Sequence, residues 1–179
     1  LESASLVVAW FGDDLRCGNC TVRPRVENAA KVTSGATWRV SNETRVTADV
    51  VSSHTGSPAY GGTPSDDSVV RAIQDLHARG IDVTFYPFLL MDIPQVNSLP
   101  DPYGSTAQQA YPWRGRMTAS VAPGLAGTLD KTAAVASQLS AFNGTATASQ
   151  FTTSGTVVTY TGPTAWTYRR MILHYAKLC

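Results

Sequence analysis

The residues from Thr63 to Asp92 constrain the fold more than any others in the chain. Thr63-Pro-Ser-Asp-Asp67 opens a helix: Thr63 or Ser65 supplies a capping oxygen, and the two acids fall in the first turn, where the helix dipole favours them. Val69, Ile73 and Leu76, flanked by Val70 and His77, recur at helical spacing and give one apolar stripe. Arg79-Gly80 is a stop signal, because glycine takes the left-handed cap without a Cβ clash. The apolar run Val83–Asp92 begins almost at once and predicts a strand. A helix feeding a strand across so short a link is half of a βαβ unit, and such folds place function beyond the carboxyl ends of their strands. Pro87 lies within this strand and removes a ladder donor, which predicts a bulge there.

Upstream, Leu6-Val-Val-Ala-Trp-Phe11 is a continuous β-prone run, the pattern of a strand buried on both faces. Gly12-Asp13-Asp14 ends it. Asp13 and Asp14 at one strand exit, and Asp92 at the next, serve either to solvate their loops or to build a site. Residues 15–62 read as irregular, with a strand pair around Trp38–Val40 and Arg45–Val51. Residues 93–127 read as a long insertion. A helix follows over about 128–143, then a small hairpin from Gln150 to Tyr160 across Gly155, and a last helix from about Thr164. Tyr168, Met171, Ile172, Tyr175 and Cys179 share a stripe on that helix. The order of elements predicts an α/β fold. More closely, it predicts the N-terminal part of a (β/α) TIM-barrel-like domain, with a long irregular insertion carrying a helix and a small hairpin. A whole barrel takes ~250 residues, so the 179 residues here are expected to form one incomplete domain.

Composition excludes several classes of function. Charged residues make up 15% of the chain, against ~25% in an average domain, and the net charge is +1 with no Lys/Arg block. A nucleic-acid footprint is therefore not expected. No apolar run approaches the ~18 residues that span a membrane. Leu6–Phe11 is too short for a signal-peptide core and has no basic segment before it, so the expectation is a chain that is cytosolic, assembled in the cytosol, or cut out of something longer. No phosphate loop, dinucleotide fingerprint or Gly-x-Ser-x-Gly elbow is present, and no cofactor is expected. Cys17-Gly-Asn-Cys20 has the spacing of a redox pair, but Thr21-Val-Arg-Pro is a poor helix opening, so a redox role is not expected and the pair is expected to be dispensable to fold and assembly. His54, His77 and His174 are scattered, and no metal site is expected.

The long loop carries Tyr103, Tyr111, Trp113, Arg114 and Arg116, with Tyr86 on the preceding strand. These residues either line a sugar-binding cleft or pack the loop against the strand ends, with Arg114 or Arg116 within reach of Asp92 or Asp13.

Several long motifs resemble a known family. These are Val7-Val-Ala-Trp-Phe-Gly-Asp-Asp-Leu-Arg16, Tyr60-Gly-Gly-Thr-Pro-Ser-Asp66, Phe85-Tyr-Pro-Phe-Leu-Leu-Met-Asp-Ile-Pro94, Tyr111-Pro-Trp-Arg-Gly-Arg116 and Tyr168-Arg-Arg-Met-Ile-Leu-His-Tyr-Ala176. In this order they resemble the TIM-barrel-like domain of gene transfer agent and phage tail tip proteins, the large baseplate or host-specificity proteins of phage-like particles. The resemblance implies a glycoside-hydrolase-like barrel and a structural, host-interacting role. It also implies other tail or baseplate subunits as partners, a host surface glycan or receptor as ligand, and a place in the particle tail after assembly in the bacterial cytoplasm. The rival expectation is a glycoside hydrolase acting on cell-surface polysaccharide. Such enzymes need two carboxylates ~5–9.5 Å apart. The chain offers Asp13, Asp14 and Asp92 at strand exits and no Glu after Glu43.

Overall fold

The structure, a computed structural model, describes residues 1–110 and 117–179. Its elements in chain order begin with β1 (Ser3–Gly12). Short strands follow: β2 (Val22–Arg23), β3 (Arg25–Val26), β4 (Arg39–Val40), β5 (Glu43–Thr44), β6 (Asp49–Val50), β7 (Ser53–His54) and β8 (Ser57–Pro58). Next come helix α1 (Asp66–Ala78), strand β9 (Asp82–Met91), helix α2 (Ala133–Asn143), the hairpin β10 (Phe151–Ser154) and β11 (Val157–Tyr160), and helix α3 (Tyr168–Leu178). The fold is mixed α/β with small sheets, and no closed barrel forms among the described residues.

The central sheet has the order β2-β1-β9. β1 and β9 run parallel, and α1 lies between them in sequence, so the expected βαβ half-unit is present. Their register runs unbroken from Ser3 opposite Asp82 to Gly12 opposite Met91, with Pro87 opposite Val8. The bulge expected at Pro87 is absent. β9 is an edge strand among the described residues, and an edge has a side on which a missing N–H costs no ladder bond.

Alternation along the two strands decides which side is buried. Leu6, Val8 and Trp10 of β1, with Phe85 and Leu89 of β9, face Val69 and Ile73 of α1 and Met171 and Tyr175 of α3. Trp10 is fully buried, and its indole N–H donates to the Tyr175 hydroxyl at 2.9 Å. The opposite face is open: Val7 and its cross-strand partner Tyr86 are 54% and 50% exposed. The expectation of a strand buried on both faces is thus corrected. Only the carboxyl end of that side is covered, where Tyr60 packs on Phe11.

Helix α1 begins as its sequence dictates. Ser65 caps it, accepting from the Ser68 N–H, and Gly80 follows its last turn at φ +70°. Thr63 has another use. Its hydroxyl donates to the Ala9 carbonyl at 2.8 Å, its N–H donates to Arg25 O, and its own carbonyl accepts from the Trp38 indole at 2.7 Å. One residue thereby ties β1, β3 and the β4 region to the start of α1.

The irregular stretch folds differently from its reading. β4 pairs antiparallel with β5, while β6 pairs in parallel with β3, so the predicted pairing of Trp38–Val40 with Arg45–Val51 is not formed. Ser41 and Asn42 sit at φ +47° and +73°, the two left-handed positions of a tight hairpin turn. The Asn42 side chain then bonds both the carbonyl and the N–H of Tyr160. The later hairpin forms as expected, with Gly155 at its turn. α2 and α3 both start a few residues later than the pattern predicts, at Ala133 and Tyr168. Cys179, assigned to the apolar stripe of α3, is exposed.

Candidate functional site

The exits of β1 and β9 carry the three carboxylates read as candidates, and each is held within the protein. Asp13 accepts from the Thr21 N–H at 2.7 Å and from the Thr21 hydroxyl at 2.6 Å. Asp14 is buried, takes a two-pronged contact from Arg16 with a closest approach of 2.6 Å, and accepts from the Gln108 side-chain amide at 2.7 Å. Burial pushes the Asp14 carboxyl up, but the bonds from Arg16 and Gln108 outweigh it and leave the pKa below the usual value. Asp92 has no exposed surface. It accepts from Arg25 Nη1 at 2.9 Å, from the Ser52 N–H at 2.9 Å and from the Ser52 hydroxyl. The ladder also continues one step past β9, with Asp92 N–H donating to Gly12 O at 2.8 Å.

Among the described residues the guanidinium partner of Asp92 is Arg25, from the irregular stretch. Arg114 and Arg116, expected within reach of Asp92 or Asp13, lie outside the described residues, as do Tyr111 and Trp113. Tyr103 is 42% exposed in the loop after β9, and Tyr86 stands on the open sheet face with its ring 5.7 Å from Phe88.

The described part of the loop after β9 is tied down by amides. Gln108 is the central residue: its side chain accepts from the Leu15 N–H and donates to Asp14 and to the Pro100 carbonyl. Asn97 donates to Pro94 O and Gln108 O and accepts from the Leu99 N–H. Ile93 is fully buried and anchors the start of the loop. Gln108 went unnoticed in the sequence, where the Gln108-Gln109 pair among Ser, Thr and Ala has no pattern to mark it.

The cysteine pair is buried and hard to ionise. Cys17 and Cys20 are buried and unbonded to each other. Burial raises both thiols, Cys20 to about 12, and a thiol of that kind supplies almost no thiolate. Among the described residues no three His, Cys, Asp or Glu side chains gather as a metal ion would need, and no helix is long and apolar enough to cross a membrane.

A concavity lies beside the start of α1. It has a volume of about 320 Å3 and is lined in part by Glu27, Trp38, Arg45, Gly61, Ser65 and Ser68. Glu27 is bound by Lys31 at 2.7 Å and by Arg45 at 3.0 Å. Burial alone would raise its carboxyl, but these two cations bring it down to about 2. None of these lining residues was singled out as a candidate site residue in the sequence.

No family model matches the chain, and no curated protein does.

Proposed function

We propose that this chain is a TIM-barrel-like structural and host-interaction domain of a phage-like tail tip or baseplate. The observation that carries the reading is the commitment of all three strand-exit carboxylates to internal partners. Hydrolysis of a glycoside requires an acid and a nucleophile or base that are free to reach the sugar. Asp13, Asp14 and Asp92 instead hold their loops to the strand ends. What this end of the sheet presents is a fixed surface rather than an acid–base pair.

Two further features support the reading. The family-like motifs fall where the fold is locked: Trp10-Phe-Gly-Asp-Asp14 at the exit of β1, Tyr60-Gly-Gly-Thr63 across β1 and β3, and Met91-Asp-Ile93 at the exit of β9. The open face bearing Val7 and Tyr86 suits a domain that meets further protein in an assembly.

The test is made on particles. An antibody to the chain should label one end of purified tails, and Tyr103→Ala combined with Trp113→Ala should lower adsorption to host cells without loss of particle yield. Particles that lack the chain would end this reading. Turnover of capsular or cell-wall polysaccharide that disappears in Asp92→Asn would favour the hydrolase instead.

A further inference from the structure

A cleft of about 240 Å3 opens where the end of α2, the β10–β11 hairpin and the start of α3 meet. Its polar side chains are all hydroxyls, those of Ser140, Thr145, Tyr160 and Thr167, and among the described residues no carboxylate lines it. Thr167 and Tyr160 are only 7% and 6% exposed, yet among the described residues neither hydroxyl has a hydrogen-bond partner. Hydroxyls on residues so deeply buried are ordinarily paired, so two of them on one cleft leave bonds for a ligand to make. Gly144, at φ +71°, leaves the Thr167 oxygen uncovered, since a Cβ there would run into it. Thr167 also precedes α3 without capping it. The first bond of that helix runs from the Met171 N–H to Thr167 O at 3.3 Å, and among the described residues no acceptor meets the N–H groups of Tyr168, Arg169 and Arg170. Such a helix start favours an anion.

We propose that this cleft binds one small oxyanion, a phosphate or carboxylate group, through the Thr167 and Tyr160 hydroxyls and the N–H groups that open α3. Charge decides for an anion. α2 ends at the same cleft, and its partial negative charge offsets the partial positive charge of α3, so the balance falls to side chains. Arg170 lies behind Tyr160, its guanidinium 4.4 Å from the ring centre. Burial lowers its pKa to about 10, so it is charged at neutral pH, and among the described residues no carboxylate pairs with it. Glu43, the acid that acts on it, is taken up by Arg23 at 3.3 Å. Arg169, exposed in the first turn of α3, adds a second cation. The volume lies below the ~300–1,000 Å3 range of sites for larger ligands, which favours a single group with part of its hydration shell. The site goes beyond the host-interaction reading and does not rest on it.

Titration of the chain with sodium phosphate and, separately, sodium acetate tests the proposal, at neutral pH and at an ionic strength held constant with sodium chloride, followed by amide NMR. At least one of the two anions should shift the Gly144, Thr167 and Tyr168 amide signals saturably in the millimolar range, and the one that does so identifies the preferred group. Thr167→Val combined with Tyr160→Phe removes both hydroxyls while keeping their shapes, and should weaken binding by about tenfold. Tyr160→Phe alone leaves the residue before α3 untouched and should weaken it by about threefold, so the test survives if the double variant fails to fold. Absence of a saturable shift with either anion would overturn the site, and so would shifts confined to other residues or binding unchanged in the folded variants. Saturable binding of methylammonium chloride with both anions silent would assign the cleft to the α2 carbonyls and overturn the ligand class.

Discussion

At the scale of single residues, the carboxylates at the strand exits act as fasteners, and their partners decide what each is worth. Asp92 is the clearest case, because it is fully buried against Arg25 and Ser52. Truncating one member of a buried charge pair leaves the other unmatched, at a cost of about 3–5 kcal/mol. Asp92→Ala is expected to lower the unfolding free energy by an amount in that range, seen as a lower urea midpoint at unchanged slope. Asp92→Asn, which keeps an acceptor for Ser52, should cost less. An Asp92→Ala variant as stable as the wild type would contradict the fastener role. The thiols make a second residue-scale prediction. All three thiols are raised, but only Cys179 is exposed while Cys17 and Cys20 are buried, so a thiol reagent at pH 8 should modify one cysteine faster than the other two in the native protein. Rapid modification of three would show that the 17–20 loop opens. That Asp13, Asp14 and Asp92 would stand at strand ends was legible from the runs before them. Their partners were not: Arg25 and Ser52 come from a stretch of two-residue strands, where no periodicity exists to read.

At the scale of elements, legibility followed how local the determining physics is. α1 declares itself through its cap, first-turn acids, apolar spacing and terminal glycine, all within its own span. Ser65→Ala should therefore destabilise by about 1 kcal/mol, measurable as a shift in thermal midpoint. The hairpin β10–β11 is equally local. The strand pairings at residues 22–58 depend instead on contacts made by chain far away, such as the clasp of Asn42 on Tyr160 and the parallel pairing of β3 with β6. A clue did exist at Gly62 in the Tyr60-Gly-Gly-Thr motif. Gly62 sits at φ +78°, and a Cβ there would approach Glu27 N at 2.9 Å and Arg25 O at 3.0 Å. The glycine allows the chain to pass against β3 on its way to α1. α3 shows the opposite limit. Its apolar stripe was legible, but Arg170 and His174 are buried beside it. Arg170 is stacked 3.5 Å from the centre of Trp166 and bonded to Ser41, and His174 bonds Asp66 at 2.9 Å. Both look like surface residues until their distant partners are known.

At the scale of the whole molecule, these fasteners make stability depend on pH in a defined direction. Glu27 falls from 4.5 to about 2 on folding, and Asp14 is also lowered. A carboxyl with a depressed folded pKa contributes stability above its unfolded value and loses it as pH falls through the folded one. Asp66 works the other way: burial raises it, against the pull of His174, so its contribution is present below 3.8 and is lost as pH rises. Three lowered acids, Glu27, Asp14 and the exposed Asp75 that pairs with Arg79, against one raised acid predict a net loss of stability between pH 4.5 and 2. Glu27→Gln should be less stable than wild type at pH 7, with the gap narrowing towards pH 2. A gap that stays constant over that window would remove Glu27 from the acid response.

The same scale decides what the sheet can do for an assembly. Helices cover one side of β1 and β9, and the main core lies between them. On the other side Val7 and Tyr86 stand next to each other in register, Phe88 lies against Tyr86, and the far edge of β9 has no strand beside it among the described residues. A ten-residue edge strand beside half-exposed apolar side chains favours association with other protein surface. The chain is therefore expected to self-associate as its concentration rises, and sedimentation velocity over a hundredfold dilution range measures this. Tyr86→Lys should suppress association, because it sets a charge in the middle of the open face. It should leave the thermal midpoint nearly unchanged, since that ring lies outside the core between sheet and helices. A wild-type chain that stays monomeric throughout, or a Tyr86→Lys variant that associates as strongly, would mean that this face is not where the molecule meets its neighbours.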